Sequence, residues 1–190
     1  KIISKDVKWV NSFNEIKKGP VIFFGNEFFD AIPIKQFKKT KNSIFEKKYT
    51  LGKDFKIKQI FKKASSSDIK TIKSYKTLKR LKFIEFPKLG FQELKKITRK
   101  ISKLNGCILL IDYGYFKPNN QNTLQSVMGH KKNKLFNSLG KADVTAHVNF
   151  ALLSEFFLKN NLKIKELITQ KEFLENMGIF DRAEILAKKM

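Results

Sequence analysis

The residues of this chain best placed to do chemistry are acidic, and they sit directly after short apolar runs. Gly25-Asn-Glu-Phe-Phe-Asp30-Ala-Ile-Pro33 follows Val21-Ile-Phe-Phe24, and Asp112-Tyr-Gly114 follows Cys107-Ile-Leu-Leu-Ile111. Carboxylates such as Glu27, Asp30 and Asp112, carried at the carboxyl ends of buried strands, can hold a cation, a guanidinium or a ribose hydroxyl. Asn26 and Asp30 could equally do no more than cap the next helix. A second polar cluster, Asp143-Val-Thr-Ala-His147-Val-Asn149, precedes a helical pattern, and His130 follows Thr123-Leu-Gln-Ser-Val-Met-Gly129. Each histidine could instead be purely structural. Two histidines, with Cys107 as the only cysteine, give neither a metal-ligand set nor an internal disulfide. The chain has no Gly-x-Ser-x-Gly elbow and no glycine-rich phosphate loop.

The two apolar runs read as buried parallel strands, each bounded by turn formers. Between them, Phe91, Leu94, Ile97, Ile101 and Leu104 recur at spacings of three and four, one face of an amphipathic helix that Asn105-Gly106 ends. Strand, helix, strand is a crossover unit of an α/β sheet, with the two acidic sequences at one edge. Residues 34–61 mix β-branched and aromatic residues with lysines and read as a pair of antiparallel strands turning at Gly52-Lys-Asp54. Ser67 is expected to cap a short helix from Asp68, and residues 82–86 form a strand stopped by Pro87. Thr145 is expected to cap a helix through Val148, Ala151, Leu152, Phe156 and Phe157. Residues 162–167 read as a strand. Thr169-Gln-Lys-Glu172 and Asp181-Arg-Ala-Glu184 read as capping boxes, with Gly178 closing the helix after the first.

The chain has 190 residues, enough for one domain with a sizeable core, and its 42% hydrophobic content excludes disorder. No apolar run approaches the ~20 residues that span a bilayer. The net charge of +23 comes from 40 Lys+Arg against 17 Asp+Glu. Such a charge suits nucleic acid or another acidic partner. Only Arg80, Arg99 and Arg182 are arginines, however, and arginine is the preferred reader of phosphates and bases. The lysines are scattered, and Ile, Asn and Phe are abundant, as expected of an AT-rich gene. Nucleic acid is therefore the weaker reading.

Five blocks, in order, resemble one family. Asn26-Glu-Phe-Phe-Asp-Ala-Ile-Pro33 is similar to a signature of the MidA-like class I S-adenosylmethionine-dependent methyltransferases. That family includes the protein arginine methyltransferase of mitochondrial complex I assembly. Ile111-Asp-Tyr-Gly114 follows, then Thr123-Leu-Gln125 with Gly129-His130. Gly140-Lys-Ala-Asp-Val-Thr-Ala-His-Val148 with Phe150 comes next, and last Thr169-Gln-Lys-Glu-Phe-Leu174 with Met177-Gly-Ile179 and Arg182. Asn149 departs from the family's common Asp.

The resemblance implies a Rossmann-like α/β sheet with an antiparallel insertion over residues 34–61. It also implies methyl transfer from S-adenosylmethionine to a protein side chain, arginine by analogy, on a respiratory complex I subunit. The expected compartment is the bacterial cytoplasm or the mitochondrial matrix. Glu27 and Asp30 are the implied catalytic carboxylates, and Gly25 and Asn26 the cofactor contacts. Asp112, Tyr113, His130, Asp143 and His147 are the implied substrate contacts, and no metal is expected. The family's glycine-rich cofactor loop belongs upstream of the matching region. Residues 1–190, beginning at Lys1, are therefore expected to form the carboxyl-terminal part of such an enzyme, with a sheet incomplete at its N-terminal half. The other reading is a non-catalytic assembly module that docks a partner through its basic surface.

Overall fold

The computed structural model describes residues 7–188. A short 3-10 turn, Phe13–Glu15, precedes β1 (Ile22–Asn26). Then come β2 (Lys35–Lys39), β3 (Ile44–Leu51), β4 (Ile57–Lys63), α1 (Ser66–Ser74), β5 (Phe83–Phe86), α2 (Lys88–Lys103) and β6 (Cys107–Ile111). The rest holds β7 (Gly114–Tyr115), β8 (Gln125–Met128), β9 (Lys131–Asn133), β10 (Asp143–Thr145), β11 (Val148–Asn149), α3 (Phe150–Lys159), α4 (Gln170–Asn176) and α5 (Ile179–Ala187).

The expected parallel pair is present. β1 and β6 run side by side, from Ile22 opposite Cys107 to Asn26 opposite Ile111. Helix α2 returns the chain between them, burying Phe91, Leu94 and Ile101. Its end differs in detail from the sequence reading. Asn105, not Gly106, takes the left-handed conformation (φ 51°), and the Gly106 N–H closes back on the Ile101 carbonyl at 2.9 Å. Gly106 is needed for another reason: a Cβ there would lie 2.3 Å from the Val21 carbonyl oxygen. Among the described residues β1 pairs with β6 alone, and Ile22 and Phe24 are exposed. Residues 7–10 form no strand, and Trp9 is exposed. Residues 1–6 lie outside the described residues.

The antiparallel region has three strands where the sequence suggested two. A turn at Thr40–Ser43 splits it: the Thr40 N–H donates to the Ser43 carbonyl at 2.8 Å, and the Ser43 N–H to Thr40 Oγ1 at 3.1 Å. β4, β3, β2 and β5 lie in that order in one antiparallel sheet, so residues 83–86 join it. The core forms where this sheet meets α2 and α3. Phe91 is its hub, with ring centroids 4.4 Å from Phe156, 5.4 Å from Phe86, 5.9 Å from Tyr75 and 6.2 Å from Phe29. Phe29 belongs to the acidic turn after β1, so this aromatic packing anchors that turn to the core.

Three helix starts and one strand differ from expectation. Ser65, not Ser67, caps α1, because its hydroxyl reaches the Asp68 N–H. Asn149, not Thr145, caps α3, while Thr145 is held in β10 by pairing with Gln125. Gly178, in the left-handed conformation, starts α5 and leaves Asp181 inside its first turn, so the second capping box does not form. Residues 162–167 form no strand. They line an apolar cavity of about 390 Å³ together with β6, without joining its ladder.

A charge cluster around buried Asp68 ties sheet to helix. Asp68 accepts hydrogen bonds from Lys88 at 2.6 Å and Lys35 at 2.9 Å, and Lys35 also reaches Glu46 at 3.2 Å. Burial pushes the Asp68 carboxyl up, but the bonds from Lys88, Lys35 and Ser65 outweigh it and hold it at about 2. A carboxyl depressed on folding stabilises above its unfolded value, and that stability is lost as pH falls through the folded value. Asp68 is therefore expected to contribute about 2 kcal/mol above pH ~4, fading toward pH ~2. Urea melts of Asp68→Asn against the parent chain should converge as pH approaches 2 and diverge above 4.

Candidate active site at the ends of the parallel strands

β1 ends in a tight turn whose backbone is held by the neighbouring strand. The Glu27 N–H donates to the Ile111 carbonyl at 2.8 Å, and Glu27 adopts a left-handed backbone (φ 46°). That conformation is uncommon for a glutamate and costs on the order of 1 kcal/mol. The turn is then closed by Asp112, which follows β6. Its Oδ2 accepts from the Phe29 N–H at 2.8 Å and the Asp30 N–H at 3.1 Å, and its Oδ1 from the Tyr113 N–H at 2.9 Å. Burial raises the Asp112 pKa, the Phe29 N–H lowers it, and the charge of nearby Asp30 raises it further.

Asp30 is buried, 5% exposed, and accepts a short hydrogen bond from the Tyr113 hydroxyl on Oδ2. Its Oδ1 has no partner among the described residues. An unsatisfied oxygen on a buried carboxylate is costly and uncommon. Tyr113 in turn meets the His147 ring edge-on, centroids 5.5 Å apart. Burial and the bond to Asp30 both raise the Tyr113 phenol, keeping it a neutral donor. A further layer fixes the backbone of His147. Its N–H donates to Thr123 Oγ1 at 3.0 Å, and Thr123 donates through its hydroxyl and N–H to buried Glu85. Gln36 Nε2 completes the Glu85 shell at 2.7 Å.

Glu27, Asp112 and Tyr113 line one cavity of about 390 Å³ at the carboxyl ends of β1 and β6. Phe116, Phe150 and the start of α4, at Thr169, Gln170 and Phe173, complete it. The Glu27 side chain is exposed and makes no hydrogen bond or ion pair among the described residues, so its full accepting capacity is free.

The structure therefore places Glu27, Asp112 and Tyr113 on one cavity, while Asp30 and His147 reach it only through Tyr113, and Gly25 and Asn26 lie on β1 without lining it. Gly25 is buried, and a Cβ there would come within 3.0 Å of Leu110. It separates out two other candidates. His130 sits with Gly129 in the two-residue turn between β8 and β9, both at positive φ, the geometry that tight hairpins demand. Asp143 opens β10 opposite Val127, exposed, at the far end of that strand from Thr145. Neither lines the cavity. The α4 wall escaped the sequence reading, although its capping box, Thr169 with Glu172, was visible.

A small-molecule site of about 300–1,000 Å³ is typical, and this cavity is of that size. Its position outside two parallel strands is where α/β sheets bind ligands. Its carboxylates, Glu27 and Glu166, and its neutral phenol suit a cationic group such as a sulfonium or a guanidinium. The residues present fit one wall of an S-adenosylmethionine site.

Comparison with known proteins gives a consistent picture. The chain is 32% identical over 182 residues to a Caenorhabditis elegans protein named "Protein arginine methyltransferase NDUFAF7 homolog, mitochondrial", covering 93% of this chain and 42% of that relative. It is 26% identical over 183 residues to the human protein arginine methyltransferase NDUFAF7, covering 96% and 41%. The chain thus spans about two-fifths of the length of these relatives. A crystal structure of a COG1565 superfamily member from Burkholderia thailandensis, bound to S-adenosyl-homocysteine, shares the fold. Its TM-score is 0.72 at 19% identity, covering 95% of this chain and 47% of that one. Residues 1–168 match the family described as "Putative S-adenosyl-L-methionine-dependent methyltransferase". That match covers most of the 190 residues, and the chain belongs to this family.

Proposed function

We propose that this chain is the substrate-side part of an S-adenosylmethionine-dependent protein arginine methyltransferase, and that Glu27 is its principal catalytic carboxylate. The observation that carries the reading is the placement of Glu27. A strained backbone presents a carboxylate, unpartnered among the described residues, to a cavity at the ends of two parallel strands. When bound, S-adenosylmethionine supplies an electrophilic methyl group on a sulfonium. Glu27 accepts guanidinium N–H bonds, localises a lone pair on the attacking nitrogen and takes up the proton that nitrogen releases. Asp30 is too buried to act alone and works through Tyr113, whose ring it orients. Asp112 keeps the turn in register, and His147 walls the side beyond Tyr113. Gly25 and Asn26 set the approach of the turn to the cofactor. His130 and Asp143 have no part in this scheme.

In this reading β1 and β6 are neighbouring strands of a class I methyltransferase sheet, and residues 34–61 belong to an antiparallel insertion. The edge of β1 left open among the described residues and the length of the relatives support a sheet completed by further chain that carries the cofactor loop. A respiratory complex I subunit is the proposed substrate, and the mitochondrial matrix, or the cytoplasm of a bacterium, the compartment. The names of the relatives, which read protein arginine methyltransferase and mitochondrial, support arginine as the methyl acceptor and a mitochondrial location.

Calorimetric titration with S-adenosyl-homocysteine tests the assignment. A full-length protein carrying this chain is expected to bind with micromolar affinity, and the 190-residue chain to bind at least a hundredfold more weakly. No binding by the full-length protein would favour the non-catalytic assembly module.

A further inference from the structure

The β3–β4 ribbon projects beyond the core. From Lys48 onward every residue of β3 is exposed, and six of the seven β4 residues are exposed as well. Leu51 pairs with Ile57 at its end, and Phe55 lies in the turn between them. These three side chains are 62%, 45% and 83% exposed, an apolar tip open to solvent. The turn is well defined: the Gly52 N–H donates to the Lys56 carbonyl at 2.9 Å, and the Phe55 N–H to the Gly52 carbonyl at 3.0 Å. Phe55 itself holds a left-handed backbone (φ 56°), so the chain bears strain to present an aromatic ring to solvent.

Lysines ring the tip. Lys53 and Lys56 have no carboxylate within 4.0 Å among the described residues, whereas Lys58 pairs with Asp54 at 3.2 Å. Further back, Lys62 and Lys63 are also unpaired in this sense, and the only acidic residue between Lys47 and Lys63 is Asp54. An apolar point inside a collar of lysines is complementary to one kind of surface: an anionic headgroup layer over hydrocarbon. Point-charge ammonium groups suffice there, because a headgroup layer requires no bidentate geometry, so the scarcity of arginine is no obstacle. Base stacking on this ribbon is less suited, since Lys38 lies 5.7 Å over the Phe61 ring and Lys47 lies 5.3 Å over Tyr49. No helix among the described residues is long and apolar enough to cross a membrane, so the contact would be peripheral.

We infer that the tip of the β3–β4 ribbon is a docking point for anionic membrane surfaces, with Leu51, Phe55 and Ile57 entering the headgroup boundary and Lys53 and Lys56 attracted to the lipid charge. Co-sedimentation of the full-length protein tests this, using vesicles of pure phosphatidylcholine and vesicles with 30 mol% phosphatidylserine. Binding to the anionic vesicles only is expected, falling about fivefold for each of Lys53→Glu and Lys56→Glu or more. The triple variant Leu51→Ser, Phe55→Ser, Ile57→Ser is expected to lose at least tenfold while methyl transfer and melting temperature are retained. No binding to anionic vesicles overturns the inference. So does binding that the triple variant leaves unchanged, which would mean diffuse charge attraction alone, or preferential binding of a uridine decamer over the vesicles.

Discussion

Glu27→Gln in a full-length protein is expected to lower kcat for methyl transfer by a hundredfold to a thousandfold. The substitution keeps the shape of the side chain but removes its charge and its ability to take a proton. A guanidinium is a poor nucleophile because its lone pairs are delocalised, so the group that localises them contributes mainly in the transition state. Removing one such electrostatic contact costs about 10²–10³ in rate in comparable sites. Stability should not change, since the Glu27 side chain is exposed and unpartnered among the described residues. Affinity for S-adenosyl-homocysteine should stay within a few-fold, because the loss falls on the substrate side. Steady-state rates with labelled cofactor, together with a melting curve, check all three. A rate within threefold of the parent would remove Glu27 from the chemistry.

Asp112→Ala is expected to act differently, lowering stability and activity together. One carboxylate satisfies three backbone donors, at Phe29, Asp30 and Tyr113, and its loss leaves part-buried N–H groups without acceptors. The cost is about 3 kcal/mol, or a melting temperature lower by roughly 10 °C. The turn carrying Glu27 loses its clamp, and a misplacement of about 1 Å is enough to cost a hundredfold in rate. Asp112→Asn retains one accepting oxygen and should recover most of the stability. Unchanged melting in Asp112→Ala would show that the turn is held by the packing of Phe29 on Phe91 instead.

The parallel pair was legible because its signal is local. A continuous apolar run between turn formers, an amphipathic helix and a second such run leave few topologies. The convergence of Glu27 and Asp112 followed directly, since both trail strands that run the same way. The third strand of the antiparallel region was hidden because its turn, Thr40-Lys-Asn-Ser43, has neither Gly nor Pro and closes through a threonine hydroxyl. The helix starts were displaced wherever two polar residues lay within reach of one N-terminus. Asn149 displaced Thr145 because Thr145 is held in a strand by pairing with Gln125, whereas Ser65 displaced Ser67 through its own local bond to the Asp68 N–H. His130 and Asp143 lie away from this cavity, and their local surroundings account for both. Both lie inside family-like blocks, yet one satisfies a hairpin turn and the other begins an exposed strand. The role of Tyr113 as the partner of buried Asp30 depends on a contact across 83 positions and has no sequence signature.

The most direct test of the account is the identity of the methylated atom. A full-length protein carrying this chain should be incubated with S-adenosylmethionine labelled on the methyl group and with a mitochondrial or bacterial extract, and the labelled protein then hydrolysed to amino acids. The account predicts label in ω-N-methylated arginine, present with the parent protein and reduced at least a hundredfold with Glu27→Gln. Label in methyl-lysine or another side chain, or no transfer from a folded protein that binds S-adenosyl-homocysteine, would contradict it.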